Sequence, residues 1–241
     1  MHRTVVRVTA IAAVLSGLAL SLLAGTGGGA LPRARAASLP AFVSEIDNPY
    51  FPLPVGRLLV YKGVRDGKTQ VDRVFVTDRT KVIQGVTATV VRDVAKHNGM
   101  LIEKTRDWFA QDVDGNVWYF GENTAEYDES GNIVSTEGSW EAGVDGAVAG
   151  ITMLADPQVA DGYRQEYYAG HAEDQAWILT RGTSTDVPYG HVAKVLRTME
   201  WTRLEPRVID QKYYGAGLGI IREVAVAGGD EFAELVNVVD P

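Results

Sequence analysis

The sequence predicts a mainly β protein in which antiparallel strands follow one another as a meander. Short runs of β-branched residues recur from residue 58 onward, and such residues favour strands. Asp66-Gly67, Gln84-Gly85 and Asn98-Gly99 separate the early runs, and Asp-Gly and Asn-Gly provide the positive φ angles of tight hairpins. No stretch repeats apolar residues at helical spacing for three turns, which argues against an α/β fold.

The runs predict strands along the whole chain after residue 56. They lie near residues 57–63, 69–78, 80–95, 100–111, 116–121, 163–169, 175–181, 190–203, 206–214, 218–227 and 231–238. About ten strands are more than one flat sheet holds comfortably, so we expect a strongly curled sheet or a barrel. Turn-forming residues from Gly143 to Asp161 predict a short helix or a long loop near 140–160, across one end of the sheet.

The first 36 residues are typical of an export signal. Arg3 and Arg7 form a basic start, an apolar run follows from Val8 to Ala24, and Ala36 stands where cleavage requires a small residue. The alternative is a membrane anchor, for which about 20 apolar residues are needed, and this run is at the short end. We therefore expect residues 1–36 to be removed and the protein to be secreted and extracellular.

Lipid attachment is not expected. Leu22–Gly25 is similar to the front of a bacterial lipoprotein box, in which the next residue is the cysteine that receives lipid. That residue is Thr26, and the chain contains no cysteine. We therefore expect no membrane anchor after processing, no disulfide and no thiol chemistry.

The chain after the signal is predicted to have two parts. Residues 37–55 hold four prolines, which cannot continue a helix or sit inside a central strand, so this part is expected to be an extended lead-in. Its Phe42, Tyr50 and Phe51 are expected to pack on the body of the protein. Residues 56–241 are predicted to form a single β domain.

The charge after the signal is strongly negative. The chain has 23 Lys and Arg and 31 Asp and Glu, and four arginines but no acid lie in residues 1–36. Residues 37–241 therefore carry 23 − 4 = 19 basic groups against 31 acidic groups, a formal net charge of −12. Because phosphate backbones and anionic membranes are bound through clustered Lys and Arg, we expect no nucleic-acid partner.

Three predicted hairpins begin with two adjacent aromatic residues, Trp108-Phe109, Tyr167-Tyr168 and Tyr213-Tyr214. Adjacent strand residues face opposite sides of a sheet, so each pair places one ring inward and one outward. An exposed ring can stack on a sugar or line an apolar pocket, whereas a buried ring packs the core, and both interpretations stay open for each ring. The candidate ligand-binding residues are Trp108, Tyr119, Tyr168 and Tyr214.

Glu166, His171, Glu173 and Asp174 form the densest group of carboxylates and imidazole in the sequence. On one hairpin they can bind Zn²⁺ or Ca²⁺, or offer paired carboxylates for acid-base chemistry on a glycan. The alternative is a solvated acidic turn. Asp112–Asn116, by contrast, lacks the glycine and glutamate positions of an EF-hand and is predicted to be a turn capped by its own side chains.

Two parts of the sequence resemble known families. Tyr213–Ile221, an aromatic pair followed by a Gly-x-Gly hairpin and an apolar strand, is similar to the closing hairpin of exported lipoprotein-carrier-like proteins, whose curved antiparallel sheet wraps an apolar groove. Asn48–Pro52, Asp107–Asp112, Tyr168 and Glu173-Asp174 resemble a family of secreted actinobacterial-type proteins without an established activity. The resemblance implies an exported β-rich protein and assigns no catalytic residue.

These observations favour a secreted, non-catalytic binding protein whose curled sheet encloses a pocket for a hydrophobic or amphipathic small molecule. Two alternatives stay open: an extracellular hydrolase or lyase acting on a glycan through Glu166, His171 or Glu173, and a structural or interaction module of the cell envelope. The sequence has no Gly-x-Ser-x-Gly motif and no phosphate-binding glycine loop. No cofactor is expected apart from Ca²⁺ or Zn²⁺ at the acidic hairpin.

Overall fold

The computed structural model describes residues 39–241, and every regular element in that range is a β-strand. The strands are β1 (Leu58–Arg65), β2 (Lys68–Ile83), β3 (Val86–His97), β4 (Met100–Gln111), β5 (Val117–Tyr127), β6 (Ile133–Ser135), β7 (Trp140–Glu141), β8 (Val148–Met153), β9 (Gly162–Arg164), β10 (Glu166–Tyr167), β11 (Asp174–Val187), β12 (Gly190–Thr202), β13 (Ile209–Gly215), β14 (Gly219–Ala227) and β15 (Phe232–Val239). Residues 39–241 include no helix that could cross a membrane. The predicted signal, residues 1–36, lies outside the described range.

The strands form an antiparallel sheet that curls until its two ends meet. Its order is β10-β8-β5-β4-β3-β2-β1-β15-β14-β13-β12-β11-β9, with β6 and β7 also paired to β5. Only Gln165 separates the two end strands, β9 and β10, in the chain. Its N–H donates a hydrogen bond to the carbonyl of Asp174 on β11 at 2.8 Å. The sheet is thus nearly closed into a barrel, which confirms the predicted fold class.

The structure has 15 strands where about ten were predicted, and the predicted strand at 163–169 is divided between β9 and β10. Strands were predicted at 69–78 and 80–95, whereas β2 continues to Ile83 and its register against β3 shifts at a bulge between Val76 and Thr80. Residues 140–160 contain the short strands β7 and β8, which pair with β5, instead of the predicted short helix or long loop. Strands of two to six residues offer too few positions for an alternating pattern to show.

The interior of the barrel is divided into an apolar half and an acidic half. Burial alternates along the central strands, so every second side chain faces inward. On β2, for example, buried Val76 and Val74 give way to buried Asp72 and Gln70. The buried acids on the strands are Asp72, Asp93, Glu103, Asp107, Glu122, Glu166, Asp174, Glu200 and Glu223, and the buried cations of residues 39–241 are Arg65 and Lys212.

The lead-in packs against β4 and β5 through its aromatic side chains. The Phe42 ring meets the rings of Trp118 and Phe120 edge-on, at centroid distances of 6.1 and 5.5 Å. Phe51 contacts Phe109 in the same way at 5.2 Å. These contacts cover part of the apolar half of the barrel.

At Gly63 the backbone of β15 lies close against β1. A Cβ atom at this position would overlap the carbonyl oxygen of Phe232, and that oxygen belongs to the backbone, so it cannot turn aside. We expect Gly63→Ala to lower the free energy of unfolding in urea by about 1–3 kcal/mol, as overpacking does. Gly162→Ala is the control, because its new Cβ would lie 3.8 Å from the nearest atom, in the Trp177 ring. A Gly63→Ala variant as stable as Gly162→Ala would contradict this packing.

Candidate functional site

A pocket of about 840 Å³ opens on the outer face of the barrel, over strands β2 to β5. Two segments form its walls, residues 77–81 of β2 and residues 139–144 around β7. Its floor consists of four outward-facing residues of β3 and β4, Val90, Arg92, Arg106 and Trp108. The pocket therefore lies on the outside of the curled sheet, whereas the sequence predicted a pocket enclosed by it.

Lys81 connects the two walls of the pocket across the floor. It follows the β2 bulge between Val76 and Thr80, and its Nζ lies 3.5 Å from the centroid of the Trp108 ring. The same Nζ forms an ion pair with Glu141 of β7 at 2.7 Å. Because the face of an indole ring attracts a cation, these two contacts hold both walls in place over Trp108.

A row of side chains crosses the pocket floor from strand to strand. Phe75 of β2 stands opposite Arg92 of β3, which stands opposite Arg106 of β4. Arg106 in turn stands opposite Asn123 of β5, and its Nη1 lies 3.5 Å from Asn123 Oδ1. The Arg92 guanidinium lies 5.6 Å from the centroid of the Phe75 ring. Two arginines thus stand side by side, flanked by an aromatic ring and an amide.

The pocket carries a positive surplus in an acidic protein. Its lining has four basic side chains, Arg79, Lys81, Arg92 and Arg106, and three carboxyls, Asp78, Glu122 and Glu141. Burial, followed by the charges of Asp107 and Glu166, raises the pKa of Glu122 well above its usual range. Glu122 therefore adds little negative charge near neutral pH, and four basic side chains stand against the two carboxyl groups of Asp78 and Glu141.

The structure places the four predicted ligand-binding aromatics in three different surroundings. Trp108 faces outward and lines the pocket. Tyr119 and Tyr214 are buried, with hydroxyls that donate to Asp107 Oδ1 and Glu200 Oε1, both at 2.9 Å. Half-buried Tyr168 stacks on the ring of His171, at a centroid distance of 4.2 Å. Of these four residues, Trp108 alone contributes to the pocket.

The four predicted metal ligands also divide into two groups. Glu166 and Asp174 are buried in the barrel, where the Nε1–H of Trp140 donates to Glu166 Oε2 at 3.0 Å. His171 is exposed, and Glu173 accepts a hydrogen bond from the backbone of Gly170 at 2.9 Å. Within residues 39–241, no three histidine, aspartate or glutamate side chains are grouped so that they could hold a metal ion. The metal site stays a prediction.

Sequence reasoning missed the acidic half of the barrel. Burial is the main reason that the pKa of Asp107 is raised to about 7; the Tyr119 hydroxyl opposes the shift and the Glu103 charge adds to it. Burial likewise raises the pKa of Asp72 to about 6. These carboxyls keep protons at a pH where ordinary carboxyls are ionised. The sequence did contain one signal for a polar inner face: Glu103, Thr105 and Asp107 occupy every second position of β4.

No protein-family model and no curated protein sequence matches the chain. Its fold is similar to two solved structures, a Bacteroides fragilis protein described as exported, with a YmcC-like fold, and a Parabacteroides distasonis protein described as a lipoprotein. The first is 14% identical over 83% of this chain and 100% of its own, with a TM-score of 0.46. The second is 11% identical over 84% of this chain and 100% of its own, with a TM-score of 0.37. The similarity concerns the fold alone and is not specific to actinobacterial-type proteins.

Proposed function

We propose that this protein is a secreted, non-catalytic binding protein that holds an amphipathic small molecule in the pocket over β2 to β5. The observation that carries the proposal is the floor of the pocket, where the apolar surface of Trp108 and Val90 lies beside Arg92 and Arg106. Sites for small molecules are typically concave, about 300–1,000 Å³ in volume, and lined by apolar and aromatic groups with a few polar ones. The pocket, at about 840 Å³, has this size and this composition.

The surroundings of Trp108 support a binding role for its ring. Trp108 and Trp177 both lie on strands and face outward, yet Trp177 is 43% exposed and Trp108 only 6%. Trp108 lines the pocket, and Lys81 covers part of its ring, with Nζ 3.5 Å from the ring centroid. A ligand that enters this site meets two aromatic residues of the lining, Trp108 and Phe75.

The proposal predicts that Trp108→Ala weakens binding of a neutral apolar dye such as Nile red. Aromatic anchors in binding sites typically contribute more than 1 kcal/mol, so we expect the dissociation constant to rise about tenfold. The measurement is a fluorescence titration of the purified protein. Trp177→Ala is the matched control and should bind the dye as the wild type does.

A second variant is needed in case Trp108→Ala weakens dye binding only because the protein no longer folds. Val144 lines the pocket and is 49% exposed, so Val144→Asp changes the rim without disturbing the core. We expect it to weaken dye binding while leaving the melting temperature unchanged. Dye binding that is unaffected by both variants would show that the pocket is not the site.

A further inference from the structure

Arg92 and Arg106 face each other across β3 and β4 without a counter-charge. Directly opposite residues on antiparallel strands have Cβ atoms about 4.5–5.5 Å apart, and like charges in such pairs are destabilising. Within residues 39–241, neither arginine has a carboxylate at ion-pair distance. Both side chains are exposed to the pocket, so their charges are accessible to a ligand.

The other side of the barrel shows how this protein compensates an arginine on the outer face. Arg222 of β14 stands opposite Glu234 of β15, and its Nε lies 2.7 Å from Glu234 Oε1. In the pocket, the position opposite Arg92 holds Arg106 instead of an acid. The next strand offers Asn123, which is neutral. The pocket thus concentrates two uncompensated cations in a chain whose residues 37–241 have a net charge of −12.

The remaining charged groups of the pocket leave this pair free. Lys81 is already paired with Glu141 at 2.7 Å, and Glu122 is only 1% exposed. Asp78 lies on the β2 wall next to Arg79, which is itself a cation of the lining. The electrostatic environment of Arg92 and Arg106 therefore favours an anion.

We propose that Arg92 and Arg106 bind the anionic head group of an amphiphile whose apolar part packs on Trp108 and Val90. The proposal rests on the proposed binding function and adds the charge and the orientation of the ligand. Guanidinium groups bind carboxylate and phosphate oxygens through paired, charge-assisted hydrogen bonds. Two of them side by side can converge on one such group, and the anion removes the repulsion between them.

The test compares amphiphiles that differ only in the head group. Dodecanoate and dodecyl phosphate supply the two anionic head groups, dodecanol is the neutral control and dodecyltrimethylammonium is the cationic one. All four are titrated by calorimetry below their micellar concentrations, with the full mature chain. We expect the better anion to bind about tenfold or more tightly than dodecanol, and the preference to shrink as salt is added. Which anion binds better tells whether the site takes a carboxylate or a phosphate.

Variants locate the head group. Arg92→Gln and Arg106→Gln should each reduce the preference for the anion over dodecanol, while the affinity for dodecanol stays unchanged. Arg203→Gln, an exposed position between β12 and β13, is the control and should bind as the wild type does. The inference is overturned if dodecanol binds as tightly as both anions, or if the arginine variants keep the full preference. If none of the four amphiphiles binds, the proposed function is overturned as well.

Discussion

Replacement of Lys212 by methionine is expected to lower the free energy of unfolding by about 3–5 kcal/mol at pH 8. Lys212 is buried, and its Nζ lies 2.9 Å from Glu200 Oε2 and 3.8 Å from Glu223 Oε1. Burial alone would lower the pKa of Lys212, but the charges of Glu200 and Glu223 raise it, so the side chain stays charged. Without it, buried carboxylates lose their nearest cation, and removal of one partner from a buried pair is strongly destabilising.

The loss is expected to depend on pH, which separates charge from packing. At pH 5 more of the carboxyls around position 212 are protonated, so Lys212→Met should cost less there than at pH 8. The measurement is urea unfolding at both pH values, with Lys62→Met as the control, because Lys62 is exposed on β1. An equal loss at both pH values would mean that Lys212 acts through packing alone.

Local signals in the sequence were sufficient for the hairpins. Asn98 and Gly99 adopt φ angles of 48° and 88°, and Asp66 and Gly67 angles of 51° and 67°. This left-handed region is the one that glycine, asparagine and aspartate adopt at least cost. The turn at Asp112 was also predictable, since its Oδ1 accepts hydrogen bonds from two backbone N–H groups, those of Asp114 and Asn116. All of these features depend on neighbours in the chain.

The arginine pair of the pocket was not predictable, because a bulge decides it. A regular two-residue hairpin at Asn98-Gly99 pairs His97 with Met100 and, continued without a shift, would place Thr105 opposite Arg92. The register shifts by one residue between Ala95 and Lys96, so Arg106 stands there instead. No pattern in the sequence of β3 or β4 predicts this register shift. A slip of one residue changes which side chains meet across two strands.

The acidic interior escaped prediction for a different reason. On β4, inward-facing Glu103 and Asp107 alternate with outward-facing Lys104 and Arg106, so the strand reads as charged on both faces. Alternation predicts burial only where one face is apolar. Curling of the sheet brings acids from strands that are not neighbours close together: after burial and the charge of Asp174, the charge of Asp107 on β4 also raises the pKa of Glu166 on β10.

The protein is expected to be more stable at pH 5 than at pH 8. Burial raises the pKa of Asp72 to about 6, of Asp107 and Asp210 to about 7, and of Asp174 to about 8. Unfolded aspartate has a pKa of about 3.9. Between these values the folded state binds more protons than the unfolded state, so the stabilisation is complete below about pH 4 and is lost as pH rises through 6 to 8.

Fewer groups have a pKa that is lowered in the folded state, and these groups reduce stability mostly at lower pH. Burial and the charge of Arg65 lower the pKa of His97, so His97 reduces stability as pH falls below about 6.5. The pKa of Asp112 is lowered by hydrogen bonds from Trp118 and Asn116, which outweigh its partial burial, and this contribution is lost only below about pH 4. The optimum is therefore expected near pH 5.

An average of about one extra proton in the folded state between pH 5 and pH 8 corresponds to about 4 kcal/mol and to a melting temperature lower by about 8–16 °C at pH 8. Thermal unfolding followed by circular dichroism at both pH values measures it. Asp107→Asn removes one of the titrating groups while Oδ1 can still accept from the Tyr119 hydroxyl, so it should stabilise the protein at pH 8 and reduce the difference. Glu129→Gln, in an exposed turn, should leave the difference unchanged. A melting temperature that rises from pH 5 to pH 8 would mean that the buried carboxyls are ionised and compensated in the folded protein.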